Sequence, residues 1–232
     1  MMRLLQSLFH KTFAHGIHPP CSKEQTDHLA IRRMPFAPRI IMPLSQHFGA
    51  PARPLVHKGQ EVVRGEPIAE ADGFMSVPMH APVTGVVEGV ELAPTARGPK
   101  GEAIIIRTHQ ASSQQVMYGS EYDWQSATAE ALIQQIQGSG MVGLGGAGFP
   151  SHVKMQVPEL HRIDTLVVNG CECEPYLTTD HRLMLEKSES LLTGIRIAMK
   201  VSGAARAIIG IEDNKMDAVV RLRSLLDKSD PI

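Results

Sequence analysis

Gly143-Leu-Gly-Gly-Ala-Gly-Phe-Pro150 is followed by Lys154 and then, after a short apolar run, by Asn169-Gly-Cys-Glu-Cys-Glu-Pro175. Glycines at 143, 145, 146 and 148 strip nearly every side chain from one loop. Glycine tolerates positive φ and lets a ligand approach the main chain, and Pro150 suits the first turn of a helix whose free N–H groups would face an anion. Lys154 adds a positive charge one turn in. A tight turn that merely allows close packing would use the same glycines. The acidic Glu172-Cys-Glu174 downstream favours the first reading: a phosphate cradle, then a strand ending in Asn169 and two carboxylates, supplies partners for the phosphate, ribose and ring edges of a nucleotide.

Working outward, Ala129, Leu132, Ile133 and Ile136 recur at helical spacing before the loop, with Ser126 or Thr128 as N-cap and Gly138 as stop. After it, Thr165-Leu-Val-Val168 reads as a buried parallel strand ending at Asn169, and ligands gather at the carboxyl ends of such strands. Asp180 to Val201 reads as helix in two pieces around Lys187 and Ser188, stopped by Gly203. Ala207-Ile-Ile-Gly-Ile211 is a second buried strand ending at Glu212-Asp-Asn214. A helix from about Met216 to Leu226 follows, with Asp213 or Asn214 as N-cap. A parallel sheet of two strands leaves edges unpaired, so the sequence reads as the front portion of a longer protein.

The stretch from Arg39 to Arg107 has another texture: short apolar runs punctuated by Gly and Pro, the signature of an all-β sandwich or barrel. Val62 to Ile68 and then Ala81-Pro-Val-Thr-Gly-Val-Val87 resemble the biotinyl and lipoyl carrier fold. Carriers mount a lysine on the exposed hairpin between these runs. Here that hairpin reads Asp72-Gly-Phe-Met-Ser76, which argues for a structural or partner-docking module. Ala111 to Tyr122 is polar and reads as a surface connection. The division expected is a lead segment (1–38), a lipoyl-like β domain without the carrier lysine (39–110), a linker (111–124) and the first part of an α/β domain (125–232).

Composition narrows the function. Of 232 residues, 43% are apolar and 20% charged, ordinary for one or two globular domains. A net charge of −1 provides no basic field for nucleic acid. No apolar run approaches the ~18 residues of a membrane span, and Met1 to Phe9 lacks a signal-peptide core. The expected location is therefore cytoplasmic, with membrane contact through partners. Three cysteines, Cys21, Cys171 and Cys173, are an odd count that argues against a disulfide framework. They also cannot supply the four thiolates of a standard iron–sulfur cluster, and no metal site is expected. Of the eleven histidines, His15 and His18 flank a Gly-Ile pair before Pro19-Pro20, and no metal-binding HExxH pattern occurs. Hydrolase motifs are absent as well.

The glycine loop, Lys154 and the Asn169 to Pro175 run resemble the flavin and NADH site of the flavoprotein subunit of respiratory complex I. With His15-Gly-Ile-His-Pro-Pro20, Glu172-Cys-Glu-Pro-Tyr176 and Ile209-Gly-Ile-Glu-Asp-Asn-Lys215 added, the chain resembles more closely the C subunit of the ion-translocating Rnf (Rsx) electron-transport complex, from about Phe13 onward. That resemblance implies a barrel-sandwich-like β domain followed by a truncated, Rossmann-like, flavin- and NADH-binding α/β domain. It implies FMN and NAD(H) as cofactors, with 4Fe-4S clusters only in an absent C-terminal part. The implied partners are the other complex subunits, NADH and a ferredoxin-type carrier, at the cytoplasmic face of a bacterial inner membrane.

Gly143 and Gly145, with Gly146, Gly148 and neighbouring N–H groups, would hold the flavin phosphate or ribityl chain, and Lys154 would pair with phosphate. Phe149 would stack on the nicotinamide nucleotide's adenine. Asn169 and Glu172 match flavin-contacting positions, Glu174 the carboxylate that contacts NADH, and Glu212 and Asp213 carboxylates near flavin and nicotinamide. No side chain is assigned a catalytic role, because the flavin carries the hydride. Two departures stand out: Cys171 replaces an Asp and Leu144 an Arg of the complex I pattern. The alternatives are a non-catalytic docking module of the same assembly, or the similar A-type subunit of the sodium-pumping NADH:quinone reductase.

Overall fold

The structure, a computed structural model, describes residues 19–95, 98, 100–144, 146, 148–158 and 160–232. Met1 to Phe9, His15, His18 and Gly145, singled out above, lie outside the described residues. The chain divides into two compact units. The larger comprises Arg32–Val168, Glu189–Ile209 and Lys228–Ile232; the smaller joins the described residues 19–31 to Asn169–Ser188 and Gly210–Asp227.

In the larger unit, seven short strands follow the Gly/Pro punctuation: β1 (Arg39–Pro43), β2 (Arg53–Pro54), β3 (Glu61–Val62), β4 (Pro67–Glu70), β5 (Met79–His80), β6 (Gly85–Pro94) and β7 (Lys100–Thr108). They form one sheet in the order β1-β7-β6-β3 and another in the order β2-β4-β5, with antiparallel pairing throughout. Val62, Val87, Ile104 and Ile106 of the first sheet and Ile68 and Met79 of the second share one core. The core therefore lies between the sheets, in a sandwich.

β7 explains its own sequence. Ala103-Ile-Ile-Ile106 is a continuous apolar run because the strand is covered on both faces: Ile104 and Ile106 enter the main core, whereas Ala103 and Ile105 pack against Ala93. Each Ile or Val buried in this way contributes about 1.5–3 kcal/mol relative to exposure.

The polar connection after β7 runs over the surface as its composition suggests, but it is pinned there by one buried side chain. Gln114 is buried, accepts from Thr84 N–H at 2.7 Å and donates to Thr84 O and His109 O, each at 3.1 Å. Its side chain thus pairs with the main chain at the start of β6 much as a neighbouring strand would. Arg64 Nη1 donates to Gln114 O, and Met117 N–H to Arg64 O.

Helix α1 (Ala129–Gly138) begins at Thr128, whose hydroxyl accepts from Ala131 N–H at 3.2 Å. Leu132 and Ile136 bury against Val201 of α4 (Ser188–Ser202), with Trp124 and Met155 alongside. Between them lie α2 (Ser151–Met155), β8 (Thr165–Asn169) and, in the smaller unit, α3 (Thr179–Glu186). β9 (Arg206–Gly210) is the hydrogen-bonded neighbour of β8. Both strands occur where expected but are not buried: Val167 is 71% and Ile208 52% exposed. A two-stranded ribbon covered on one face sends alternate side chains to solvent. Along β9, Ala207 N–H finds an acceptor in Pro231 O at 2.8 Å.

In the smaller unit, α3 packs against α5 (Met216–Arg223), burying Met184, Ala218 and Leu222. The helix expected over Asp180 to Val201 breaks where predicted, after Lys187, and Ser188 Oγ donates to Met184 O at 2.6 Å. Gly203, at φ +72°, ends α4. The last helix differs from expectation in two ways. It stops at Arg223, and neither Asp213 nor Asn214 caps it, because both lie in a 3-10 turn (Asp213–Lys215) that precedes it. Asp217 Oδ1 instead accepts from Ala218 N–H at 2.8 Å.

Candidate functional site

The glycine loop belongs to the larger unit. Val142 and Pro150 form an antiparallel bridge, and Gly143 N–H donates to Phe149 O at 2.9 Å, so the loop closes on itself. Its leading side is open: Leu144 is 92% exposed, and a Cβ placed on Gly146 would meet nothing within 4 Å. Its trailing side is packed. Gly148 holds φ +68°, its carbonyl accepts from Phe48 N–H at 2.9 Å, and a Cβ there would stand 2.9 Å from Gln46 O. Phe149 stacks on Phe48, with centroids 5.8 Å apart and planes 25° apart.

Beyond Pro150 the chain enters α2, and His152 is fully buried. Its Nε2–H donates to Phe74 O at 2.8 Å, and its ring meets Phe74 edge-on at 5.5 Å. Gln137 Nε2 donates to Ser76 O. The hairpin that in carriers would present a lysine is here the seat of the glycine loop's helices. Lys154 is exposed and forms no ion pair among the described residues. A cavity of about 260 Å³ lies among Met42, Gln46, Met79, His80, Gly140 and Val142; burial pushes the His80 imidazole below its usual range.

The carboxylate segment belongs to the smaller unit. Asn169 Oδ1 accepts from Cys171 N–H at 3.1 Å, an Asx turn that reverses the chain at the end of β8. Glu172 is buried, 2% exposed, and its Oε1 accepts from Asp180 N–H at 2.7 Å. That bond satisfies an orphan donor in the first turn of α3 and sets a negative charge at the helix N-terminus. Lys23 Nζ lies 3.5 Å from Glu172 Oε2 and also donates to Glu172 O. Glu172 N–H donates to Glu212 Oε2 at 3.1 Å, and the same oxygen pairs with the buried Lys215.

Burial acts to raise Glu212. The hydrogen bonds from Lys215 and the Glu172 N–H, with the charges of Lys215 and Lys23, outweigh it and hold the carboxyl below the usual range. Asp180 moves the other way, pushed up by burial and by the charges of Glu172 and Glu174, against Lys23 and Lys215. Glu174 and Asp213 are exposed. Tyr176 holds φ +67°, and its N–H donates to Cys21 O at 2.8 Å; a bulky residue kept there costs on the order of 1–3 kcal/mol.

Of the residues singled out in the sequence, Glu172, Glu212 and Asp213 meet in one network or stand beside it, and Gly143, Gly148 and Phe149 share one loop. Lys154 and Glu174 stand apart on the surface. Sequence reasoning missed Lys23, Asp180, Lys215 and His152. Lys215 carried a signal, three residues after Glu212 in the Ile209 to Lys215 run. Lys23, 149 positions from its partner, carried none. Among the described residues no His, Cys, Asp and Glu side chains are grouped to hold a metal, and Cys21, Cys171 and Cys173 are free thiols. No helix among them is long and apolar enough to cross a membrane.

Two family models match the chain: the RnfC barrel sandwich hybrid domain over residues 11–111 and the Nuo51 FMN-binding domain over residues 136–231. Fold and matches together describe a barrel-sandwich module followed by a module similar to the Nuo51 FMN-binding domain. The chain is 40% identical over 213 residues to the C subunit of the Na(+)-translocating ferredoxin:NAD(+) oxidoreductase complex of Acetobacterium woodii, covering 92% of this chain and 48% of that one. It is 36% identical to the C subunit of the proton-translocating ferredoxin:NAD(+) oxidoreductase complex of Clostridium ljungdahlii, covering 94% and 48%. To the C subunit of the ion-translocating oxidoreductase complex of Pseudomonas aeruginosa it is 39% identical, covering 92% and 28%. Over 92–94% of its length the chain is thus similar to C subunits of such complexes, and it spans about half or less of the length of these curated relatives.

Proposed function

We propose that this chain carries part of an FMN and NAD(H) site, in a Rossmann-like module (residues 125–232) behind a β module (39–110), within an ion-translocating electron-transport complex. The observation that carries this reading is that a single FMN-binding match runs through both the glycine loop and the carboxylate segment. The loop's chemistry fits a flavin phosphate. The main chain on its leading side is exposed, and Gly146 has open space where a Cβ would stand. Lys154 follows it with its ammonium in solvent.

In this reading Gly143, Gly145, Gly146 and Gly148 shape the cradle, and N–H groups from the loop with Lys154 bind phosphate. Phe149, backed by Phe48, offers one ring face to a base. Asn169 and the 170–174 main chain line the flavin's polar edge, while Glu174 and Asp213 accept from ribose hydroxyls or carboxamide and Glu212, paired with Lys215, holds the Glu172 N–H behind them. FMN, when bound, supplies hydride acceptance from NADH and single-electron release. The protein binds, orients and excludes water.

The names of the relatives support a role in electron transfer between NADH and ferredoxin coupled to ion movement. The partners would then be the other complex subunits, at the cytoplasmic face of a bacterial inner membrane to which this chain is peripheral. The 4Fe-4S clusters of such a route lie outside this chain, whose three cysteines do not complete one. Titration of the purified chain with FMN, followed by flavin fluorescence and then by NADH addition, tests the reading. Saturable quenching at micromolar flavin is expected, and no binding of either nucleotide at millimolar concentration would overturn it.

A further inference from the structure

The loop that carries Glu172 is stitched to a segment that precedes the β module. Tyr176 N–H donates to Cys21 O, Thr178 Oγ1 meets Thr26 Oγ1 at 2.9 Å, and Arg182 Nη1 donates to Asp27 O. Ile31 N–H donates to the Glu186 carboxylate. At the centre is Lys23, its side chain 12% exposed against 2% for Glu172. A buried ammonium is tolerated only when paired and hydrogen-bonded, and Lys23 has both the carbonyl and the carboxylate of Glu172. Glu172 is enclosed in turn. One oxygen takes the Asp180 N–H; the other is shut from solvent, has no hydrogen-bond partner among the described residues and faces the Lys23 ammonium at 3.5 Å. A ligand hydroxyl reaching the first would displace the Asp180 N–H, and one reaching the second would have to enter closed space beside Lys23. Glu174 and Asp213, by contrast, are exposed and have no hydrogen bond or ion pair among the described residues.

We propose that Lys23 is a positioning residue for the nucleotide site: it closes Glu172 into an internal brace of the 169–176 loop, leaving Glu174 and Asp213 as the carboxylates this unit presents to a dinucleotide's hydroxyl and carboxamide donors. The choice of ligand rests on the reading in the preceding subsection; the brace does not. Lys23 touches no reacting atom. It acts through the Glu172 carbonyl and carboxylate, and so through the path of the chain on which Glu174 is carried.

The test uses the full chain in five variants besides the unaltered one: Lys23→Met, Glu172→Gln, the double variant of these two, Glu174→Gln and Asp213→Asn. Amide exchange across residues 169–186 and dissociation constants for FMN and NADH are measured on each. Lys23→Met is expected to speed exchange there at least tenfold and to weaken NADH to a similar extent. The double variant should recover most of the lost protection, because Glu172→Gln keeps a side-chain oxygen for Asp180 N–H without burying an unpaired charge. Glu174→Gln and Asp213→Asn should each weaken NADH at least threefold with exchange unchanged. Unchanged exchange in Lys23→Met, or no recovery in the double variant, would overturn the brace. Weakened NADH with unchanged exchange in Glu172→Gln would make Glu172 a ligand contact and overturn the assignment of Glu174 and Asp213. If the unaltered chain binds neither nucleotide, the functional reading fails on its own, and the exchange cycle still decides the brace.

Discussion

His152 Nε2 stands 2.8 Å from Phe74 O, with the two rings edge-to-face. A residue two positions past the glycine loop is thereby fastened to the tip of a β hairpin 78 positions earlier. His152→Ala deletes a fully buried ring and leaves the Phe74 carbonyl without its donor. The combined cavity and lost bond should destabilise the chain by about 2–4 kcal/mol. Urea unfolding followed through Trp124 reads this directly, and a change below ~0.5 kcal/mol would mean the hairpin and helix are held by other contacts.

Two glycines of one loop should respond oppositely to alanine. At Gly148 a Cβ is strained by φ +68° and crowded by Gln46 O, so Gly148→Ala should cost more than ~1 kcal/mol of stability. At Gly146 nothing stands within 4 Å, so Gly146→Ala should leave the unfolding midpoint in place while obstructing any ligand that lies on the loop. Equal stability losses in both variants would contradict the open and packed sides described above.

Lys154→Ala should weaken FMN or NADH binding by about 1–3 kcal/mol, the contribution of a charge-assisted bond to phosphate. Its exposed side chain has no ion pair to lose among the described residues, so thermal stability should not move. An unchanged dissociation constant in a chain that binds flavin would remove Lys154 from the site.

Acid should loosen the smaller unit through Glu212. Its carboxyl is held below the usual range despite burial by Lys215, by the Glu172 N–H and by the charge of Lys23. A depressed carboxylate adds stability above its unfolded pKa of about 4.3, and that stability is lost as pH falls through the folded value. Asp180 has the opposite sign, since its raised pKa favours the folded state on acidification. Lys215→Met should therefore bring acid unfolding, followed by circular dichroism, to higher pH. Asp180→Asn should stabilise the chain near neutrality. Coincident titration curves for Lys215→Met and the unaltered chain would refute the Glu212 assignment.

What the sequence discloses depends on range. Periodicity and punctuation locate α1, narrow its cap to Ser126 or Thr128, and give the break at Lys187 and the run of β7, because each is encoded within a few residues. The exposure of β8 and β9 is not legible in the same way: an apolar run says that a strand forms, not how many layers cover it. The first turn of α3 hides its partner for a related reason. Glu174 is nearer in sequence, but the Asx turn at Asn169 re-aims the chain so that Glu172 reaches Asp180. Lys23 is invisible because a pairing across 149 positions leaves no local trace.

The hairpin at Asp72 to Ser76 has a final consequence for how this β module can operate. In a carrier the tip travels while the body serves as its handle, and delivery depends on a tether that sweeps between stations. Here the tip is clamped by His152 and Gln137. The tip is therefore a fixed seat for α1 and α2, and the module lacks the free end that a swinging arm requires.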